Sequence, residues 1–295
     1  MYNFSIVTPT YNRSHLLSAI YDSLSKQMNK NIEWIIIDDG SKDNTKEVVN
    51  SFKKEFEIKY TFQENKGKPS AVNNGVKMAD SFITIILDDD DVLMPNVLNI
   101  IWSYYDSENM IFKENCAALS GLCIEKVSNM IIADPFPKSI FKTDFFSLSF
   151  NRRHFGDKAH VFCTHILKQY PWPIISNEYF ITESTVFHRI AADGHKVLCV
   201  NSIFVMKEYL KDGLSSKYRK IMDDNPKGSE LFFNEATAIK ISPYWHIRLS
   251  GHYIRFAKMN KRKNIFFNAK NKFVYPFGII IYILLILRNL KNKDS

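Results

Sequence analysis

Four adjacent carboxylates, Asp88-Asp89-Asp90-Asp91, follow the apolar run Phe82–Leu87 without a break. Side by side they repel one another and tend to hold protons unless a cation neutralises them. Asp88 and Asp90 lie two apart, so an extended backbone points both to one side. Such an oxygen-only set suits Mg2+ or Mn2+ better than zinc, and these ions complete their shells with water and phosphate oxygens. An exposed acidic turn capping the next helix is the alternative; a position at the end of a buried strand favours the metal. Two other loops carry ligand-like groups. Asp38-Asp39-Gly40-Ser41 offers a carboxylate that can accept an N–H from a nucleobase, with Gly40 allowing a turn at positive φ. Thr8-Pro9-Thr10-Tyr11-Asn12 offers hydroxyls, backbone groups and a ring that can line a base edge. Either loop taken alone is also an ordinary turn.

The elements between these loops set their positions. Phe4–Thr8, Glu33–Ile37, Ile58–Gln63 and Phe82–Leu87 read as short, strongly apolar strands. Between them, Arg13–Met28, Ser41–Glu57 and Ser70–Ala79 carry apolar residues at helical spacing, with Ser14 as the expected N-cap of the first. Strands alternating with helices predict βαβ units and an α/β fold with a mostly parallel sheet flanked by helices. Ligands then bind at the carboxyl ends of the strands. The three loops described above fall at those ends, as does Gln63–Lys68. Beyond Val92, Pro95–Tyr105 and part of Asn177–Asp193 read as helices and Val197–Met206 as a strand. Ala117–Phe150 mixes strand-like and loop-like pieces that the pattern does not order.

In order, PTYNR, IIIDDGSKDNT, ENKGKPSAVNNG and LDDDDVLMP closely resemble the family 2 glycosyltransferases over about residues 3–105. The resemblance implies a GT-A, Rossmann-like fold and inverting transfer of a sugar from a nucleotide-diphospho-sugar, assisted by Mg2+ or Mn2+. It also implies roles. Thr8, Pro9, Thr10 and Tyr11 would flank the nucleotide, and Asp39 would bond the base. Lys68 would assist nucleotide binding, Asp90 would ligate the metal, and Asp88 or Asp89 would sit nearer the ribose or a metal-bound water. Asp88 and Asp90 form the DXD element, although four consecutive acids leave its register open. Inverting transfer needs a base within reach of the acceptor hydroxyl. In Asn177–Ser184 (NEYFITES), Glu183 matches that base at the start of a helix capped by Thr182 or Ser184, with Glu178 in reserve. Glu208–Ser215 (EYLKDGLS) resembles the segment closing the transferase domain.

The remaining features bound the partners. Cys116, Cys123, Cys163 and Cys199 form no CxxC pair and read as buried, reduced thiols; none of the eight histidines makes a metal-ligand pair, and His188 reads as a surface or packing residue. The net charge is +8, but residues 236–295 hold 12 basic side chains against one acid and so carry +11, leaving the rest slightly acidic. Within that tail, Phe273–Leu287 is a 15-residue stretch without charge, flanked by lysines and arginines. About 20 such residues are needed to span a bilayer, so the expectation is a helical extension that associates with an anionic membrane surface. A buried helix packed on the core is the alternative, and nucleic-acid binding is not expected. The predicted organisation is a catalytic domain over 1–235, divided into a nucleotide half (1–105) and an acceptor half (106–235), followed by the extension. No signal-peptide pattern opens the chain, which predicts a cytoplasmic enzyme peripheral to the inner face of the membrane. Its acceptor would be a saccharide or a polyprenyl-diphosphate-linked saccharide. A sugar nucleotidyltransferase and an inactive nucleotide- and membrane-binding scaffold are the alternatives.

Overall fold

The computed structural model describes residues 1–106, 115–150, 156–208 and 217–291. His154 and all but the first residue of the segment Glu208–Ser215 lie outside the described residues. The amino-terminal half runs β1 (Tyr2–Thr10), α1 (Ser14–Ser25), β2 (Ile32–Asp38), α2 (Thr45–Ser51), β3 (Glu57–Phe62), α3 (Lys68–Met78) and β4 (Ser81–Ile86). The middle adds β5 (Asp91–Leu93), α4 (Val97–Asp106), β6 (Cys116–Glu125), β7 (Ile140–Thr143), α5 (Phe145–Phe150), β8 (Lys158–Cys163), α6 (Thr164–Leu167), α7 (Ser184–Ala192) and β9 (Lys196–Lys207). The chain closes on α8 (Tyr218–Asp224), α9 (Pro226–Ala236), α10 (Pro243–Met259), α11 (Ile265–Asn268) and α12 (Tyr275–Lys291).

One sheet of nine described strands has the order β3-β2-β1-β4-β8-β6-β9-β5, with β7 also paired to β9. β3, β2, β1 and β4 are parallel, whereas β8 is antiparallel to β4, and β5 and β7 are antiparallel to β9. The sheet is therefore mixed: the expected parallel part covers the first four strands, and β6 and β9 form a second parallel pair among antiparallel neighbours. Registers such as Thr10 opposite Asp38 and Val7 opposite Ile86 bring the motif loops out at one edge. Phe4, Ile6, Trp34, Ile36, Ile83 and Ile85 fill one face with α1, and Val7, Ile35, Ile37 and Ala71 fill the other beneath α3. These strands are apolar throughout because both faces are covered.

Two local readings are corrected. The helix expected over Ser41–Glu57 is only Thr45–Ser51, because the preceding residues are engaged elsewhere. Asn12 and the Ser41–Lys42 pair exchange hydrogen bonds between loops: Asn12 N–H donates to Ser41 Oγ at 2.8 Å, and Lys42 N–H to Asn12 Oδ1 at 2.7 Å. Nor does Ser14 cap α1; it lies inside the helix, and its N–H donates to Asp43 Oδ2 at 3.0 Å. Asp43 also accepts from Thr45 at the start of α2, so one carboxylate serves two helix N-termini.

The carboxyl-terminal helices share a core across residue 235. Met222, Phe233, Leu249, Tyr253, Phe256 and Ile265 pack together, and Arg189 of α7 ties to Glu235 by two bonds of 2.9 Å. α12 lies on α10 at very close range: a Cβ added at Gly251 would sit 2.5 Å from Ile281, and one at Gly278 would sit 2.4 Å from Ser250. Among the described residues, no helix is long and apolar enough to cross a membrane.

Candidate active site

The four-acid run is a tight turn. Asp91 N–H donates to the Asp88 carbonyl at 3.1 Å, and β5 then starts at Asp91. The turn sends the carboxylates in different directions. Asp89 points back under the β1–α1 loop, accepting from Thr10 Oγ1 at 3.0 Å and from Arg13 Nη1 at 2.9 Å. Burial pushes its carboxyl up to about 6 although Arg13 opposes the shift. Asp88, Asp90 and Asp91 come together, with one oxygen from each within 4.8 Å of the others. Burial, and then the neighbouring acids, also raise Asp90. Carboxylates pushed toward protonation by one another are what a divalent cation relieves, and hard oxygen donors fit Mg2+ or Mn2+. Asp91 is already paired with Lys207 Nζ, at 3.3 Å.

Lys68 opens α3, behind Gly67 at φ +85°. Its ammonium bridges the site, 2.7 Å from Asp88 Oδ1 and 2.9 Å from Glu183 Oε1. Burial works against that charge, but Asp88 and Glu183 outweigh it and hold Lys68 above its ordinary value. Glu183 stands immediately before α7, with no side-chain cap at the helix start. The capping expected from Thr182 or Ser184 is thus not seen. Glu183 is half exposed, at the rim of a cavity of about 630 Å³. Asp88, Lys68 and Lys207 border the cavity, and Trp172, Phe145, Phe180, Phe187 and Phe232 supply much of its wall.

The nucleotide-side residues fall into two groups. Tyr11 is exposed, and Thr10 lies just beneath it beside Asp89. Thr8 and Pro9 are fully covered, and the Thr8 hydroxyl accepts from Trp34 Nε1 at 2.9 Å, so at Thr8 the side chain faces the core rather than a ligand. Asp39 is also buried. Its oxygens accept from Gln63 Nε2 (2.6 Å), Lys66 N–H (2.9 Å) and Gly67 N–H (2.8 Å), fixing the loop that precedes Lys68. A carboxylate has room for about four such bonds, so capacity remains for a further donor.

Glu178 does not face the cavity acids. It accepts from Lys227 N–H and Gly228 N–H, both at 2.7 Å, at the N-terminus of α9. Asn225 Oδ1 accepts from Tyr179 N–H and Phe180 N–H at 2.9 and 3.1 Å. On the opposite side, a Cβ on Gly67 would lie 2.3 Å from the Tyr179 carbonyl oxygen. The strand of chain leading to Glu183 therefore runs between the start of α3 and the start of α9. His188, expected at the surface or in packing, is buried among Phe146, Phe150 and Phe232, with Nε2 3.0 Å from Ser149 Oγ. Sequence reasoning assigned no role to Arg13, Asp91, Asn225 or Lys207. Arg13 belongs to the quoted PTYNR motif, but no spacing rule links Lys207 to Asp91.

A mixed α/β sheet with a DXD-like acidic cluster at the carboxyl ends of its parallel strands is a GT-A-type architecture. Residues 5–113 match the glycosyl transferase family 2 description, which places that part of the chain in the family. It is 26% identical, over its whole length and 97% of the relative's, to the GalNAc(5)-diNAcBac-PP-undecaprenol β-1,3-glucosyltransferase of Campylobacter jejuni subsp. jejuni. Of several other relatives it spans only about a fifth to a third of their length. The fold is shared with S. aureus TarS 1-349 in complex with UDP-GlcNAc, with a TM-score of 0.63 and 15% identity over 95% of this chain and 90% of that one. It is also shared with the mannosyltransferase PcManGT of Pyrobaculum calidifontis in complex with GDP-Man and Mn2+, with a TM-score of 0.55 and 16% identity over 97% and 80%.

Proposed function

We propose that this glycosyltransferase moves a sugar, with inversion, from a UDP-sugar to a saccharide carried on a polyprenyl diphosphate. One observation carries the catalytic part: a single ammonium, Lys68, joins the acidic cluster to Glu183 at the mouth of the cavity. Donor-side acids and candidate base are thus neighbours across the space where an anomeric carbon would lie. The donor reading draws support from the UDP-GlcNAc complex of TarS, and the acceptor reading from the undecaprenyl-diphosphate-linked substrate in the name of the C. jejuni relative.

Asp88 and Asp90 would hold Mg2+ or Mn2+, which supplies Lewis-acid stabilisation of the departing diphosphate. Asp91 lies close enough to join them, but its pairing with Lys207 makes it a supporting group. Asp89 orders Thr10 and Arg13 beside the nucleotide, Tyr11 covers the base, and Asp39 accepts from it. An acceptor hydroxyl oxygen forms the new bond to the anomeric carbon as the bond to the diphosphate oxygen breaks. The hydroxyl proton passes to Glu183. Aromatic walls such as Trp172 and Phe180 suit the apolar faces of sugar rings, while Glu183 and Lys207 supply polar contacts. Residues 1–235 carry the reaction, and 236–295 brace it and hold it at the inner face of the membrane.

The test is a screen of nucleotide-sugars for Mn2+-dependent binding, followed by turnover of the hit with a polyprenyl-diphosphate-linked saccharide. Binding of a UDP-sugar and transfer to that acceptor are expected. If no nucleotide-sugar bound with either metal, the reading would fall.

A further inference from the structure

The apolar tail presents two opposite faces. Val274, Gly278, Ile281, Tyr282 and Leu285 turn toward the protein, and the near-contact of Gly278 with Ser250 and of Ile281 with Gly251 leaves no gap between α12 and α10. On the other face Phe277, Ile280, Ile283, Leu284 and Leu287 are each about half exposed. One apolar face is enough to seat a helix on its neighbour. A second apolar face, about three turns long and open to water, is a liability unless something apolar covers it.

The chemistry beside that face identifies the cover. α10 and α12 are joined by the connector 260–274, which lies at the N-terminal end of α12. This connector and the last turn of α10 carry Lys258, Lys261, Lys263, Lys270 and Lys272, all exposed, together with Phe267 and Phe273, which are 70% and 83% exposed. Acids elsewhere in the helices engage part of the tail's cations: Asp223 holds Arg255 at 2.6 Å, Glu230 holds Arg262 at 3.0 Å, and Glu235 reaches Lys270 at 3.7 Å. Lys258, Lys261, Lys263 and Lys272, beside the aromatics, have a different use. Apolar side chains, ring residues and clustered lysines on one margin match an interface rich in anionic lipid.

We infer that the outward face of α12 lies flat in the interfacial layer of an anionic bilayer, anchored at one end by the last turn of α10 and the connector 260–274, while its inner face stays on α10. Insertion and packing, which the sequence sets against each other, then occur together on opposite sides of one helix. This geometry makes α12 an interfacial rather than a spanning helix. A spanning orientation would require α12 to leave α10 and expose Gly251 and Gly278.

The inference rests on the fold of the tail and is tested without any turnover. Full-length protein is sedimented with vesicles of phosphatidylcholine alone or of phosphatidylcholine with 30 mol % phosphatidylglycerol (roughly a bacterial-like charge density). Binding to the anionic vesicles is expected, with weak binding to neutral ones. The double variant Ile280→Asp/Leu284→Asp should lose binding at least about tenfold and keep its melting temperature, since both side chains already face solvent. Lys261→Glu/Lys263→Glu should weaken binding at low salt and less so at high salt. Equal binding of wild type and I280D/L284D would overturn the proposal. So would a dimer that I280D/L284D dissociates without changing vesicle binding, because a second copy would then be the cover. A donor-binding assay on the same variants separates the two proposals: loss of vesicle binding with UDP-sugar binding intact concerns the tail alone.

Discussion

Two glutamates five residues apart, Glu178 and Glu183, have the right chemistry for the base, and the structure predicts opposite consequences for their amides. Glu183 faces the cavity beside Lys68, makes no helix-capping bond, and in Glu183→Gln keeps its shape while losing the ability to take a proton. A positioned general base is worth about 10²–10⁴ in rate, or about 3–5 kcal/mol of barrier. Turnover should fall by that factor, with donor affinity and melting temperature almost unchanged. Glu178→Gln removes a charge from two backbone N–H groups at 2.7 Å on the α9 N-terminus and turns an amide NH2 toward one of them. Losing one such charge-assisted bond and the favourable helix dipole costs about 1–3 kcal/mol of stability. The expected signature is a melting temperature lower by several degrees, with turnover reduced less than in Glu183→Gln. Initial-rate UDP release with acceptor present, read beside thermal unfolding of the same samples, measures both. Near-normal turnover in Glu183→Gln, or abolished turnover in Glu178→Gln at unchanged stability, would refute the assignment.

Further outcomes follow from the same geometry. Asp90→Asn should remove Mn2+-dependent donor binding, measured by calorimetry with and without metal, whereas Asp91→Asn should weaken it less because Lys207 already engages Asp91. Gly67→Ala places a methyl 2.3 Å from the Tyr179 carbonyl at φ +85°, so it should cost about 2–4 kcal/mol and lower turnover through the displaced Glu183 segment. Gly194→Ala, at φ +88° with open space around it, should cost only about 1 kcal/mol, and comparing the two melts isolates the contact. Burial pushes the His188 imidazole down to about 3. With its folded value depressed, the unfolded chain takes the proton first; the contribution to stability is complete above about pH 6.5 and is lost as pH falls, by roughly 2 kcal/mol at pH 5. His188→Gln should therefore shrink the drop in melting temperature between pH 7.5 and pH 5.

The loops that gather at the candidate site were legible because each sits at the end of a short apolar strand, and strand ends can be read from composition. Ser41–Glu57 was overextended because helical spacing does not show that Asn12 and Asp43 draw Ser41, Lys42 and Ser14 into loop bonds. Ala117–Phe150 could not be ordered because β6 pairs with β8 and β9, and β7 with β9, pairings of residues 36 to 82 positions apart that leave no local trace. Lys207 meets Asp91 only because β9 pairs with β5. Glu178 read as a possible base because its partners, the N–H groups of Lys227 and Gly228, arrive about fifty residues later. α12 is apolar all round, so periodicity could not tell which face packs.

Lys68 joins the two halves of the proposed reaction. Its ammonium lies within 2.9 Å of both Asp88 and Glu183, and the paired carboxylates hold it charged against the cost of burial. A Glu183 carboxylate engaged this way is not available to an acceptor hydroxyl. A donor diphosphate carries more negative charge than either carboxylate and draws the same ammonium toward itself. If Glu183 is the base, as proposed, Lys68 would tie its release to occupation of the donor site, and the donor would bind before the base works. Lys68→Met breaks that tie in a recognisable way. Donor affinity should fall at least about tenfold with the lost charge-assisted bond, while kcat at saturating donor should fall less than in Glu183→Gln, since the base survives and is no longer occupied. A Lys68→Met enzyme with unchanged donor KM and a kcat as low as that of Glu183→Gln would show that Lys68 acts on the chemical step itself, and the coupling would be wrong.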